Sequence, residues 1–220
     1  MQYRDITIDW LHHACFRIKG KVLTIYTDPY KIKNSYNDAD MIFITHDHYD
    51  HLDKDSIKKL IKKDTVLIAP ANCRAELSKF ENEKIFLNPN EVKVYKDVSI
   101  RTVPSYNTNK VNEDGEFFHP KEKKNVGYIF TVDGVRIYIA GDTDKITEMK
   151  EIKTDIALLP VSGIYVMTAN EAIEAAIEIN ADLSIPMHYG SGIGTIDDAK
   201  AFKNGLQGKL KTEILESIDR

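Results

Sequence analysis

Apolar positions recur along the chain with two different periods, and their order predicts strands alternating with helices. Residues 6–8, 15–18 and 22–26 are short β-branched or aromatic runs, with Lys19-Gly20-Lys21 supplying a turn. Residues 41–44 form a continuous apolar run of the kind a sheet buries on both faces, and residues 66–69, stopped by Pro70, form another. Between them Ile57, Leu60 and Ile61 share one face of a helical segment whose other face carries lysines, with Asp53 or Asp55 as its cap. The second half begins again with strands at 92–95, 99–103, 128–132 and 135–140. Asp133-Gly134 marks a hairpin between the last two, because both residues tolerate positive φ. A strand at 156–159 follows, then a helix at 169–179 with Ala172, Ala175, Ala176 and Ile179 on its apolar side. A strand at 183–186, a helix near 197–206 and a short apolar run at 213–215 complete the pattern.

Two sets of strands, each followed by helices, predict an α/β fold with a sheet-on-sheet core covered by helices on both outer faces. The 220 residues suit a single domain, 1–220, with a core large enough to fold without a disulfide or metal staple. One stretch, 107–125, is longer than loops usually are without a reason. It is charged and contains His119, so it reads either as a mobile lid or as a solvated surface loop.

Composition narrows the function classes. Hydrophobic residues make up 42% and charged residues 29%, the balance of an ordinary globular protein. A net charge of −4 and a pI near 6.0 provide no field to gather nucleic acid or an anionic membrane, so neither is expected as a partner. The N-terminus lacks the apolar core of a signal peptide, and no stretch is apolar enough to span a bilayer. Cys15 and Cys73 lie far apart in no CxxC pattern and read as reduced thiols of a cytoplasmic protein, Cys15 as a small core residue.

The chemistry is concentrated in His46-Asp47-His48-Tyr49-Asp50-His51, which follows the apolar run 41–44 and precedes a helix. Ligand sites in α/β proteins form at strand carboxyl ends, and imidazole and carboxylate are the donors that borderline cations such as Zn²⁺ accept. His46 and His48 would point to one metal, Asp50 and His51 to a neighbouring one. Asp142, after Gly141, and His188, after Pro186-Met187, stand at the ends of other predicted strands and gain weight because the first cluster needs partners.

Thr27-Asp28-Pro29, the histidine motif, Gly141-Asp142-Thr143 and Pro186-Met187-His188-Tyr189, in that order, resemble the metallo-β-lactamase superfamily. Within it the chain is similar to compact metal-dependent hydrolases related to L-ascorbate-6-phosphate lactonase. Residues 10–16, Leu158-Leu159-Pro160 and 165–168 extend the likeness. The resemblance implies a four-layer αββα sandwich with one or two divalent metals, Zn²⁺ first and Mn²⁺ or Fe²⁺ as alternatives. It implies His46 and His48 on the first metal, Asp50, His51 and His188 on the second, and Asp142 bridging them. Asp28 would orient a ligating histidine by a hydrogen bond. One position departs from the family: Asn107 stands where a third histidine of the first metal is expected, so either Asn107 or His119 completes that site. His13 is a candidate for the site rim, although hydrogen bonding within the core suits it better.

The implied chemistry is hydrolysis by a metal-bound hydroxide, with Asp50 orienting the nucleophile and His119, His13 or a second water protonating the leaving group. The bond would be of ester type, a phosphoester or lactone, in a small substrate. Lys110, Lys121, Lys123 and Lys124 favour an anionic one, although Glu113, Asp114, Glu116 and Glu122 are interleaved. The alternatives are an inactive metal-binding scaffold of the same fold and an iron-dependent redox member; diiron relatives carry a glutamate where His48 stands. A homo-oligomer stays open.

Overall fold

The computed structural model describes residues 1–219. They form two compact units, Met1–Asn88 joined by the C-terminal stretch from Leu215, and Pro89–Ile214. The first holds a sheet of seven strands in chain order: β1 (Gln2–Tyr3), β2 (Ile6–His12), β3 (Cys15–Lys19), β4 (Thr24–Thr27), β5 (Ala39–Phe43), β6 (Ile61–Ala69) and β7 (Glu83–Phe86). Strands β1 to β4 run antiparallel, and β4 to β7 run parallel. Parallel neighbours need a crossover. Helix α1 (Lys54–Leu60) supplies it between β5 and β6, and α2 (Arg74–Leu77) lies between β6 and β7. Leu11, Cys15, Tyr26, Ile42, Ile44 and Leu67 form one buried face of the sheet and pack with Ile57, Leu60 and Leu77 of the helices. The alternate residues Ile18, Ile25, Met41, Phe43 and Ile68 are fully buried too, which accounts for the continuous apolar runs.

Asp53 is the cap of α1, its carboxylate accepting from Asp55 N at 3.1 Å. The helix is shorter than its apolar period predicts. Ile61 is already extended (φ −72°, ψ 148°) and opens β6, as suits a β-branched residue. Strands β1 and β7 were not legible, because two to four mostly polar residues carry no usable alternation. The chain end returns to this unit, where the Asp219 carboxylate accepts from Lys33 N at 2.5 Å and Asn34 N at 3.0 Å.

The second unit holds six strands: β8 (Val92–Tyr95), β9 (Val98–Pro104), β10 (Val126–Val132), β11 (Val135–Ile139), β12 (Ile156–Pro160) and β13 (Leu183–Met187), in the reverse of chain order. It repeats the logic of the first. An antiparallel run, β8 to β11, is followed by the parallel strands β11, β12 and β13. The β10–β11 hairpin turns through Asp133 (φ 46°) and Gly134 (φ 77°), as the sequence predicts. Helix α3 (Ala169–Ile179) buries the four predicted apolar residues and opens with a capping box between Thr168 and Glu171. Helix α4 (Ile196–Gly205) follows β13. In each unit the carboxyl ends of the parallel strands share one edge, so residues just beyond them are brought together. Among the described residues no helix is long and apolar enough to cross a membrane.

Candidate metal centre

In the first unit the cluster grows from the ends of β2, β4 and β5. Asp28, directly after β4, has φ 35° and is wholly buried. Its carboxylate accepts from Thr45 N and Thr45 Oγ1, both at 2.8 Å, and lies 2.9 Å from His51 Nδ1. A carboxylate can only accept there, so His51 carries its proton on Nδ1 and presents a lone pair at Nε2. Thr45 has given its hydroxyl proton to Asp28, so its oxygen, 3.0 Å from His46 Nδ1, accepts from that ring. His46 is thereby held in the same tautomer. Burial pushes the Asp28 carboxyl above its ordinary range, while His51 and the Thr45 bonds pull it down.

The rings these bonds hold are close. His46 lies 4.2 Å from His51 and 4.6 Å from His48, centroid to centroid. His51 Nε2 is 4.0 Å from Asp50 Oδ2. His13, in the tight turn after β2 with φ 52°, brings its Nε2 to 3.4 Å from the same oxygen. His13, Asp50 and His51 offer donor atoms within 4.8 Å of one another, a grouping that could hold a cation. The sequence offers His13 as a rim residue, a core residue or a proton donor; the structure seats it, fully buried, beside Asp50.

In the second unit the cluster is assembled from three separate segments. Asp142 follows β11 and Gly141, whose φ of 66° suits a residue without a side chain. His188 follows β13, and its Nε2 lies 3.1 Å from Asp142 Oδ2. His119 comes from the long 107–125 stretch, with its Nε2 3.4 Å from the same oxygen. Each ring is again held at Nδ1: His188 by Ser162 Oγ at 2.9 Å, His119 by Asn107 Oδ1 at 3.0 Å. Gly194 matters to the first contact, since a Cβ there would come within 2.5 Å of Ser162 Cβ.

Asn107 turns its side-chain oxygen towards His119. Its oxygen accepts from His119 N at 2.8 Å as well as from the ring, and its amide nitrogen donates to Asp144 Oδ1 and Tyr165 O. The 107–125 stretch is no loosely held lid at this end. The buried Asp144 carboxylate accepts from Thr108 N at 2.6 Å and Asn109 N at 2.8 Å. Lys110 reaches Glu171 at 2.8 Å and Asp144 at 3.5 Å. Partial burial pushes the Glu171 carboxyl up, but Lys110, the Thr168 N–H and Asn109 outweigh it and hold the group at about 2. Asp144, Ser162 and Thr45 carried no sequence signal beyond their neighbours, because polar residues after strands are commonplace. Both cysteines are free and buried, and burial pushes both thiols up, so neither is poised as a nucleophile.

Imidazole Nε2 atoms with Nδ1 fixed behind them, grouped with carboxylate oxygens, fit a divalent cation in donor chemistry and in spacing. The comparisons with known proteins agree. Residues 7–188 match the β-lactamase superfamily domain, a span that runs through both units. The chain is 32% identical over 220 residues to a UPF0173 metal-dependent hydrolase of Thermoplasma volcanium, with 91% of each chain covered. It is 31% identical over 209 residues to one from Methanoculleus marisnigri, covering 91% of this chain and 88% of the relative. A crystal structure of a protein from Parabacteroides distasonis, assigned as a metal-dependent hydrolase, superposes with a TM-score of 0.84 at 34% identity, covering 96% of this chain and 93% of that one. The metallo hydrolase Igni18 of Ignicoccus hospitalis, at 22% identity and a TM-score of 0.76, shares the fold. The chain has the metallo-β-lactamase fold and belongs to the β-lactamase superfamily, among the UPF0173 metal-dependent hydrolases.

Proposed function

We propose that the protein hydrolyses an ester-type bond, a phosphoester or lactone, in a small and anionic substrate, using one or two divalent metals, Zn²⁺ first among them. His46, His48, Asp50 and His51 of the first cluster and His119, Asp142 and His188 of the second are the proposed ligands. The observation that carries this reading is the shared geometry of four rings. His46, His51, His119 and His188 each have Nδ1 held by a fixed partner, the arrangement that orients metal-binding imidazoles. Asn107 serves as the residue that orients His119 rather than as a ligand, and His119 takes the place of the third histidine.

A divalent cation held by these residues would supply a water of lowered pKa, roughly 7 instead of about 15.7, and a Lewis acid for the substrate oxygen. The chain's own groups do the rest. Asp50, 8% exposed, is placed to hold a water proton through its carboxylate and so to aim the attacking oxygen. His13, 3.4 Å from that carboxylate, fixes its orientation and is the nearest imidazole for carrying a proton to the leaving group. His119 is not given that task, because its Nε2 is taken up as a proposed metal donor. The likeness to L-ascorbate-6-phosphate lactonase makes a phosphorylated lactone one substrate to try. The test is a screen of metal-loaded protein against phosphodiesters, phosphomonoesters, lactones and thioesters, before and after chelation. Turnover of an ester class that chelation abolishes and Zn²⁺ or Mn²⁺ restores is the expected result. Metal-replete protein that turns over none of the four supports the scaffold alternative instead.

A further inference from the structure

Asp47 and Tyr49, the two positions of the histidine motif outside the proposed ligand set, line a separate cavity of about 680 Å³ in the first unit. That volume is in the range of small-molecule sites. Tyr30, Lys31, Leu52, Asp53, Lys54 and Glu76 complete its walls. Tyr49 is 69% exposed, a large aromatic ring presented to solvent immediately between His48 and Asp50. Tyr30 is nearly buried and meets Tyr49 edge to face, with ring centroids 5.8 Å apart. Its ring also lies 5.7 Å from the His13 ring, so Tyr30 is a wall shared by the cavity and the histidine cluster.

The charges around the cavity are not equivalent. Lys54 is paired with Glu76, and Asp53 is taken up as the cap of α1, accepting from Asp55 N and Ser56 Oγ. Asp47 accepts from the Asn72 amide at 3.4 Å. Lys31, by contrast, holds its exposed ammonium over the Tyr30 ring, 4.9 Å from the centroid, on a backbone with φ 49°. The exposed Tyr49 ring and the Lys31 ammonium thus line the same cavity next to the histidine cluster. A planar ring stacks on the first, and an anionic substituent on that ring is drawn to the second.

We propose that this cavity binds an aryl portion of the substrate that carries an anionic substituent, the ring against the exposed Tyr49 and the anion at Lys31. The proposal rests on the hydrolase reading of the adjoining cluster and narrows its substrate class. Binding of methylphosphonate, phenylphosphonate and 4-carboxyphenylphosphonate to the metal-loaded full chain, measured by calorimetry, tests it with compounds that have no ester bond to break. Phenylphosphonate should bind about tenfold more tightly than methylphosphonate, and the carboxylate should add a further gain of several-fold. Tyr49→Ala should bring the phenyl-to-methyl ratio near one, Tyr49→Phe should keep it, and Lys31→Ala should erase only the carboxylate gain. Equal binding of phenyl and methyl compounds by the wild type, or ratios that survive Tyr49→Ala, would overturn the site. An aryl preference without turnover of any ester class would count against the hydrolase reading alone. Turnover without that preference would count against the aryl site alone.

Discussion

The two histidine clusters fix their rings by the same device but are assembled differently. In the first, His46, His48, Asp50 and His51 lie within one turn after β5, and a buried charge, Asp28, stands behind them through Thr45 and His51. In the second, Asp142, His119 and His188 come from distant segments, and neutral groups stand behind the rings, an amide for His119 and a hydroxyl for His188. A carboxylate anchor makes the imidazole more basic and costs more to lose, since a charge-assisted bond is roughly twice as strong as a neutral one. A neutral anchor fixes the tautomer with less effect on ligand strength. On the proposed reading the first cluster would hold a metal more strongly, and the second depends on the loop that carries Asn107 and His119.

The largest effect is expected at Asp28. Asp28→Ala removes the acceptor of His51 Nδ1 and strands the buried Thr45 N–H, and should lower metal affinity about 10–100-fold with a clear fall in Tm. Asp28→Asn, which keeps one acceptor oxygen, should recover part of it. A variant with wild-type affinity would show that the charge behind His51 is idle.

Asn107→Ala comes next and should weaken metal binding about tenfold, since His119 loses its ring acceptor while Asp144 still holds Thr108 and Asn109. If Asn107→Ala matched His119→Ala in metal loss, Asn107 would have to act as a ligand itself. Ser162→Ala tests the remaining neutral anchor and should cost only a few-fold in the same titration.

The smallest effect concerns the loop tether. Glu171 is held at about 2 against an ordinary value of 4.5, so its contribution to stability is present above 4.5 and is lost as pH falls towards 2. Thermal unfolding of wild type and Glu171→Gln should differ by ~2–4 °C near neutral pH, with the gap closing as the pH drops through that window. A gap that is constant with pH would mean the Lys110–Glu171 pair does not hold the loop.

The same contrast explains what was legible. The motif from His46 to His51 is local, and the apolar runs before and after it place it at a strand end without any long-range information. The hairpin at Asp133-Gly134 and helix α3 were readable for the same reason, their chemistry being contained in a few neighbours. The partner of His119 was not, because nothing in the sequence says which end of Asn107 faces which group. That choice is made by Asp144 and the Tyr165 carbonyl, 37 and 58 residues away. His13 was readable only as a candidate, because two adjacent histidines in a turn have no ligand spacing to place them beside Asp50. The C-terminal clasp of Asp219 on Lys33 and Asn34, 186 and 185 residues apart, was equally silent.

Metal content of the purified full chain, measured by inductively coupled plasma mass spectrometry for wild type, His51→Ala and His188→Ala, tests the central claim most directly. The account predicts at least one equivalent of divalent metal in the wild type and a loss of most of it in both variants, with folding checked by circular dichroism. Folded variants that keep the wild-type metal content would contradict it.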